Sequence, residues 1–600
     1  MLFQFEVSDV SDKGESVPGK IKNRVSELDR SEEFPRRFVP GEIDLSQWEQ
    51  IEPLFRELQG RTLDSPAAVE AWLLDWSELE SVIDEEGSRR YIAMTCATDD
   101  PAAEQGYLHF VEQIQPKIKP IDHQLKEKLV GCGYVGELDP RVYGVFLRTV
   151  RNQLEIFDPA NVPLETEVDK LSQQYQKTMG AMTVEFRGRE YTLQQMALFL
   201  EERDRSLRRE AFDLTAKRRL QDTGKMEDIF DRMLELRCEI ARNAGFDDFR
   251  AYQFRNYNRF DYTPEDCLRF HDAVEDIVVP LSRRFTEERG EALGVESVRP
   301  WDTSCDRYGR PPLRPFDDTD ALAFKCREVF GKVDEELGGY FQKMMELGLL
   351  DLASRKGKAP GGYQTTLSEA RLPFIFMNAV GINRDVFTLL HEGGHAFHTF
   401  LARHHQLKDY RHAPMEFCEV ASMAMEHLSE RHLEVFYRPS DAARARRDHL
   451  EGAIAILPWI AIVDAFQHWV YTHPDHNRDQ RADYWEELMN RFGSGVDFTG
   501  YEDALRYRWH AQLHIFEYPF YYIEYGIALL GALQVWRNSL ADREAAVAAY
   551  KSALTLGGSR PLPELFQTAG ARLDFNAETI EPLMAAVATE IEEQASLESR

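Results

Sequence analysis

Apolar residues recur at helical rather than strand spacing over most of this chain. Thr192 and Gln195 stand ahead of Leu193, Met196, Ala197 and Leu200, the pattern of a capping box opening an amphipathic helix. Thr263 and Pro264 begin another. Threonine suits the N-cap, proline suits a first turn that needs no N–H, and the helix dipole favours Glu265 and Asp266. The stretches 201–245 and 579–597 read the same way. Strand-like segments are few. Thr183–Phe186 and Glu190–Thr192 flank an Arg-Gly-Arg turn and predict a hairpin. Tyr363–Leu367 and Phe374–Ala379, rich in β-branched and aromatic residues, predict a second small sheet after Gly361 and Gly362. The predicted class is mainly α.

A chain of 600 residues exceeds what one core supports. Residues 1–40 are polar, an ordered fold is expected to begin near Ile43, and 41–180 reads as a helical N-terminal lobe ahead of a larger region, 181–600. The Pro-rich stretch 310–318 reads as a connecting loop. The apolar run Gly452–Val463 is too short for a membrane span and contains Pro458. The basic run at 444–447 reads as a solvated helix face, and His404, His405, His473 and His476 as loop residues. Acidic residues number 103 against 72 basic, a net charge of −31 that repels phosphate backbones and anionic lipid, so no nucleic-acid or membrane partner is expected. The first residues lack the basic and apolar regions of a secretion signal. Seven scattered cysteines without a CxxC pair fit a reducing cytoplasm better than a disulfide framework.

Candidate chemistry concentrates at 391–426. His391 and His395 are four apart, roughly 40° around a helix of about 3.6 residues per turn, so both imidazoles can reach one ion. Glu392 lies on the adjoining stripe. Two neutral nitrogens suit Zn²⁺, and a carboxylate beside them can take a proton from an attacking water. The competing reading is a pair of surface histidines. Against it, Gly393 and Gly394 each cost about 1 kcal/mol relative to alanine in a helix, and they leave room for another backbone. Val386, Leu389, Leu390, Ala396, Phe397 and Phe400 also make this a largely buried helix. A third ligand is needed. The metzincin spacing requires glycine at position 398 and histidine at 401, where the chain has His398 and Leu401. The other zincin arrangement takes a glutamate from a following helix. Glu419, among weakly polar neighbours, is the leading candidate and Glu416 its rival. Glu426, two turns further along the same face, is placed to hydrogen-bond a ligand histidine.

His391-Glu392-Gly393-Gly394-His395-Ala396-Phe397-His398, followed by Glu419-Val420-Ala421-Ser422 and Glu426, resembles the M3 peptidase family, the thimet oligopeptidase and oligoendopeptidase F group. Further matches lie at 360–367, 373–381 and 514–528. The layout from about 170 to 580 fits the oligoendopeptidase F branch, whereas 1–100 matches loosely. Ala421 stands where thimet-type members have proline, a change that touches no ligand. The resemblance places the third zinc ligand at Glu419. It implies two helical lobes enclosing a deep substrate channel, with a small β-sheet near the zinc helix and with 181–600 as the catalytic region. It also implies one Zn²⁺ per chain, short peptides as substrates, and a monomer or weak homo-oligomer.

By spacing alone, His514, Tyr518, Tyr521, Tyr522 and Tyr525 form a packed helix face or line a cleft where their donors meet an oxyanion. The resemblance implies the second, with His514, Tyr522 and Tyr525 catalytic and Tyr518 at the substrate; Tyr521 and His510 are the fallbacks if the alignment slips by a residue. It likewise implies that Gly361, Gly362 and Tyr363 receive an extended peptide as an added strand, against the reading of a purely structural sheet. The expected function is zinc-dependent endopeptidase action on short peptides, with Glu392 as general base. A catalytically inactive peptide-binding relative is disfavoured because Glu392, both histidines and Glu419 are all present. A di-iron carboxylate protein needs a second Glu-x-x-His. Of the seventeen histidines, only His395 has glutamate three residues earlier.

Overall fold

A computed structural model of the chain describes residues 23–25, 28 and 33–598. Helices Trp48–Gly60, Pro66–Cys96 and Pro140–Ile156 carry the N-terminal lobe. Ser65 and Asp139 cap the second and third, each followed by proline at the first helical position. Their inner faces give one apolar core of Ile51, Phe55, Leu58, Trp72, Trp76 and Phe146, joined from across the molecule by Leu407 and Tyr410. The Trp72 indole N–H is satisfied by the Leu58 carbonyl at 2.9 Å. A second, larger core takes up the apolar residues from Ile156 onward.

Two expectations about boundaries shift. Helix Asn161–Gly180, expected in the N-terminal lobe, contributes to the larger core. Tyr175 stacks on Phe516 with ring centroids 4.2 Å apart, and Asn161 donates to the Ile240 carbonyl. Its polar, glutamine-rich surface concealed the few residues that anchor it. The described residues before Ile43 are also already held. Arg36 pairs with Glu369, and the Glu78 carboxylate accepts the N–H groups of Arg37, Phe38 and Val39. The opening stretch examined for a secretion signal lies outside the described residues.

The hairpin forms as β1 (Thr183–Phe186) and β2 (Arg189–Thr192), turning through Arg187 and Gly188, both at positive φ. The capping box at Thr192 forms too, on a short helix, Leu193–Ala197. The second sheet has β3 (Leu350–Ala353), β4 (Tyr363–Leu367) and β5 (Leu372–Ala379) in the order β3-β5-β4. Here β4 runs antiparallel to β5 and β3 parallel to it. β3 is only four residues long and follows directly on helix Glu335–Leu347, capped at Gly348, so its apolar run reads as part of that helix in the sequence. β4 is an edge strand.

The run Gly452–Val463 lies inside a longer helix, Pro439–Thr472, which is long and apolar enough to cross a membrane by length and composition; 67% of its apolar window is buried within the protein. The basic run at its start is not solvated. Arg447 pairs with Glu598, Arg446 with Glu434, and Arg444 with Asp306 at 3.1 Å. Acidic partners distant in sequence convert that face into an anchor for the C-terminal helix Ala577–Glu598.

Candidate active site

Two helices build the site: Asn383–Ala402, the histidine helix, and Met415–Ser429, the glutamate helix. Asp385 folds back at the start of the first to accept the N–H groups of Val380, Gly381 and Ile382 at 2.8–3.1 Å. The glycines act as the sequence suggests. A Cβ on Gly394 would lie 2.5 Å from Ser422 Cα and 2.6 Å from the Ala421 carbonyl oxygen, so the two helices touch backbone to backbone. A Cβ on Gly393 would strike the Phe330 ring at 2.4 Å.

That contact sets the donors. His391 Nε2 and His395 Nε2 lie 3.4 and 3.8 Å from Glu419 Oε2. Ligands about 2.0–2.2 Å from a tetrahedral ion stand about 3.3–3.5 Å apart, so these gaps match donors sharing an ion. His391 Nδ1 meets Glu426 Oε1 at 2.7 Å, which leaves Nε2 to face the gap. Burial pushes His395 down to about 4, so it offers a neutral nitrogen. Burial also opposes charge on His391, but Glu419 and Glu426 hold it well above its ordinary value. The rival Glu416 is engaged elsewhere, accepting from the Tyr262 hydroxyl at 2.8 Å beside Arg259. Glu392 is buried next to the ligand set, and burial raises its carboxyl to about 7. The backbone of Gln364 on the edge strand β4 lies beside it and slightly offsets that rise. Sequence reasoning did not single out Gln364, because a backbone group leaves no residue-type signal.

The aromatic cluster gathers around His514. The rings of Tyr522, Tyr521 and Tyr525 lie 4.8, 5.9 and 5.9 Å from it, and that of Tyr518 6.3 Å. Burial raises all three inner hydroxyls; the next cause is Glu524 at Tyr521 and Glu419 at Tyr525, whereas Tyr522 interacts with Trp459. Tyr518 is 51% exposed. The fallback His510 leaves the cleft and pairs with buried Glu227 at 3.1 Å. Gln512, missed by the sequence reading, fixes the His514 tautomer. Its Oε1 accepts from Trp459 Nε1 at 3.0 Å, so its Nε2 donates to His514 Nδ1 at 2.8 Å. Burial lowers His514 to about 4, and the neutral ring keeps its proton on Nε2. The tyrosine loop is also held under strain. Phe520 takes φ +66, a conformation that bulky side chains avoid, while its carbonyl accepts from Arg259 at 2.6 Å.

Tyr363 opens β4 with its ring stacked on Phe376 and its hydroxyl 2.7 Å from Thr95 Oγ1 in the N-terminal lobe. Gly361, at φ +93, and Gly362 precede it.

Two further groups bring potential ligands together: His427, Glu430 and His449, and the fully buried Cys267, Asp464 and His468. Asp464 also bonds His271 at 2.8 Å. The second group is fully buried, whereas His427 and His449 of the first line a cavity that also reaches His391.

A model of peptidase family M3 matches residues 198–584, and one of the M3 N-terminal domain matches 40–157. The chain belongs to peptidase family M3. As an M3 member it is a metalloendopeptidase of the oligoendopeptidase F type. It is 21% identical over 496 residues to an oligoendopeptidase F homolog of Lactococcus lactis subsp. lactis (strain IL1403), covering 78% of this chain and 73% of that protein. Oligopeptidase PepF of Bacillus subtilis (strain 168) is 23% identical over 381 residues, 62% of this chain and 55% of that one. The structure of PZ peptidase A with an inhibitor superposes with a TM-score of 0.84 at 26% identity, covering 93% of this chain and 99% of that one.

Proposed function

We propose that this M3 peptidase uses one Zn²⁺ per chain, held by His391, His395 and Glu419, to hydrolyse short peptides at internal bonds. The observation that carries the reading is the pair of 3.4 and 3.8 Å gaps from the imidazoles to one glutamate oxygen, with each Nε2 turned toward the gap. Bound zinc supplies Lewis acidity that polarises the scissile carbonyl and lowers the pKa of water.

The chain's own residues do the rest. Glu392, raised to about 7, takes the proton of the attacking water and passes it to the departing amine. The hydroxyls of Tyr522 (or its neighbour Tyr521) and Tyr525 and the Nε2–H of His514 donate to the carbonyl oxygen as charge develops there. The free edge of β4 aligns the peptide beside Glu392, and Glu426 holds His391 in its ligating orientation. We assign the enzyme to the cytoplasm, a reading supported by its seven free cysteines, and infer that it acts as a monomer or weak homo-oligomer.

Elemental analysis, paired with mass-spectrometric mapping of cuts in a peptide library with and without chelator, tests the proposal. It expects one zinc per chain and internal cuts in short peptides that stop when the metal is removed. Zinc-loaded protein that cleaves no short peptide would overturn it in favour of an inactive binder.

A further inference from the structure

The strained turn at Phe520 is held through its backbone and its ring at once. The ring is fully buried, with Phe254, His468 and Tyr471 around it at centroid distances of 6.0, 5.4 and 5.4 Å. Its N–H donates to Gln467 Oε1 on helix Pro439–Thr472, and its carbonyl accepts from Arg259 Nη2 at 2.6 Å. Tyr521 and Tyr522 follow it directly, and Tyr518 stands two residues before it. A shift at this one residue displaces all three.

Arg259 reaches further than the turn. The same Nη2 donates to Glu524 Oε1 at 2.7 Å, beside Tyr525 in the first turn of helix Ile523–Ala541. Arg259 Nε stands 3.8 Å from Oε1 of Glu416, one turn before Glu419 on the glutamate helix. One guanidinium thus ties the turn and the helix that carry the tyrosines to the helix that carries the third proposed ligand. The arginine is itself fixed at its root. Its N–H donates to the Phe254 carbonyl at 2.9 Å, and the neighbouring Asn258, at φ +56, accepts from Asn152 at 3.0 Å. The side chain is fully buried, and its Nε and Nη1 make no hydrogen bond among the described residues. Packing alone does not call for such a residue, because apolar groups of similar volume often replace buried ion pairs with no loss of stability. An apolar group has no means of holding a carbonyl and two carboxylates from separate segments.

We propose that Arg259, with Gln467, is a positioning residue of this peptidase. Together they fix the tyrosine turn relative to Glu419, so that the hydroxyls of Tyr525 and of Tyr522 or Tyr521 stand where the substrate carbonyl oxygen acquires charge. Both side chains are buried, so neither meets the substrate. The proposal rests on the peptidase reading above and adds the support behind the cleft wall. Donors that meet charge only as it develops act on kcat rather than on KM, and a displacement of about 1 Å can cost about 10²-fold.

The test measures kcat, KM and bound metal for Arg259→Lys and Gln467→Met on a quenched fluorescent peptide, below each variant's melting temperature. In Arg259→Lys kcat is expected to fall about 10²-fold, with KM and metal content unchanged, and Gln467→Met follows in the same direction with a smaller loss. A merely structural residue would lower the melting temperature and leave the kcat of the folded enzyme as it was. The deciding comparison is a double-variant cycle with Tyr525→Phe. Because Arg259 acts through the tyrosines, its substitution should cost much less in the Tyr525→Phe background than in the wild type. Equal costs in both backgrounds would overturn the proposal, as would an unchanged kcat in the single variants or loss of metal from Arg259→Lys. If Arg259→Lys does not fold, Gln467→Met, which releases the other side of the same residue, carries the cycle. Metal-loaded wild-type enzyme that cuts no peptide removes the peptidase reading instead.

Discussion

Two clusters of histidine and glutamate lie on the glutamate helix and its surroundings, and their distances set them apart. At His391, His395 and Glu419, nitrogen and oxygen stand 3.4 and 3.8 Å apart, too long for good hydrogen bonds and right for donors around an ion. At His427, Glu430 and His449, the same residue types close to 2.8 and 2.5 Å on one oxygen, so protons join them. Glu426 links the two, bonding His391 on one side and His449 on the other, each at 2.7–2.8 Å. Composition alone does not make a metal centre. A rigid spacer does, and here the backbone contact at Gly394 keeps the first cluster open.

The comparison can be broken by removing the central carboxylate of each cluster. Glu419→Ala should lose bound metal and peptide hydrolysis together. Glu430→Ala should cost about 3–5 kcal/mol of stability, because it strands a buried charged partner, yet leave metal stoichiometry unchanged. Metal analysis and denaturant titration separate the two, and metal loss from Glu430→Ala would erase the distinction. Next in size, Glu392→Gln should lower kcat by about 10²–10⁴-fold with metal content intact. Loss of metal from that variant would make Glu392 a ligand instead of the base.

The shared residue gives a smaller effect. Glu426→Gln should weaken metal affinity or activity by about 10–100-fold, measured by competition with a chelator. The smallest effect is a dependence on pH. Burial disfavours the His449 imidazolium, but Glu426 and Glu430 outweigh it and lift the group to about 10 from 6.5. Its contribution to stability is therefore complete below pH 6.5 and fades as pH rises toward 10. Denaturation midpoints should fall across that window in the wild type and change less in His449→Gln. An equal fall in both would remove His449 as the cause.

Much of the site was legible in the sequence because helical spacing is local. The four-residue step from His391 to His395 fixes their common face, and paired glycines inside a helix have few purposes other than close approach. Glu419 needed a tertiary fact, the crossing of two helices, which spacing cannot supply; the residues alone left Glu416 open until Tyr262 and Arg259 were seen to occupy it. The tyrosines were harder still. Tyr518, Tyr521 and Tyr522 sit on a turn bent at Phe520 and Tyr525 in the helix that follows, so a single helical register does not describe the cluster and leaves Tyr521 and Tyr522 as alternatives. In the fold, long helices and the hairpin carried their own caps and turns. The short strand β3 and the buried arginines at 444–447 depend on partners far along the chain, where no local pattern reaches.

The main-chain contact at Gly394 has a further consequence. Side chains can rotate to suit a guest, but two abutting helical backbones cannot, so the separation of the helices that carry the imidazoles and the glutamate is set when the protein folds. A cation such as calcium, which prefers six or more oxygens at about 2.3–2.6 Å, finds neither the number of donors nor the slack to spread them. The scaffold thereby limits which ions the three donors can suit.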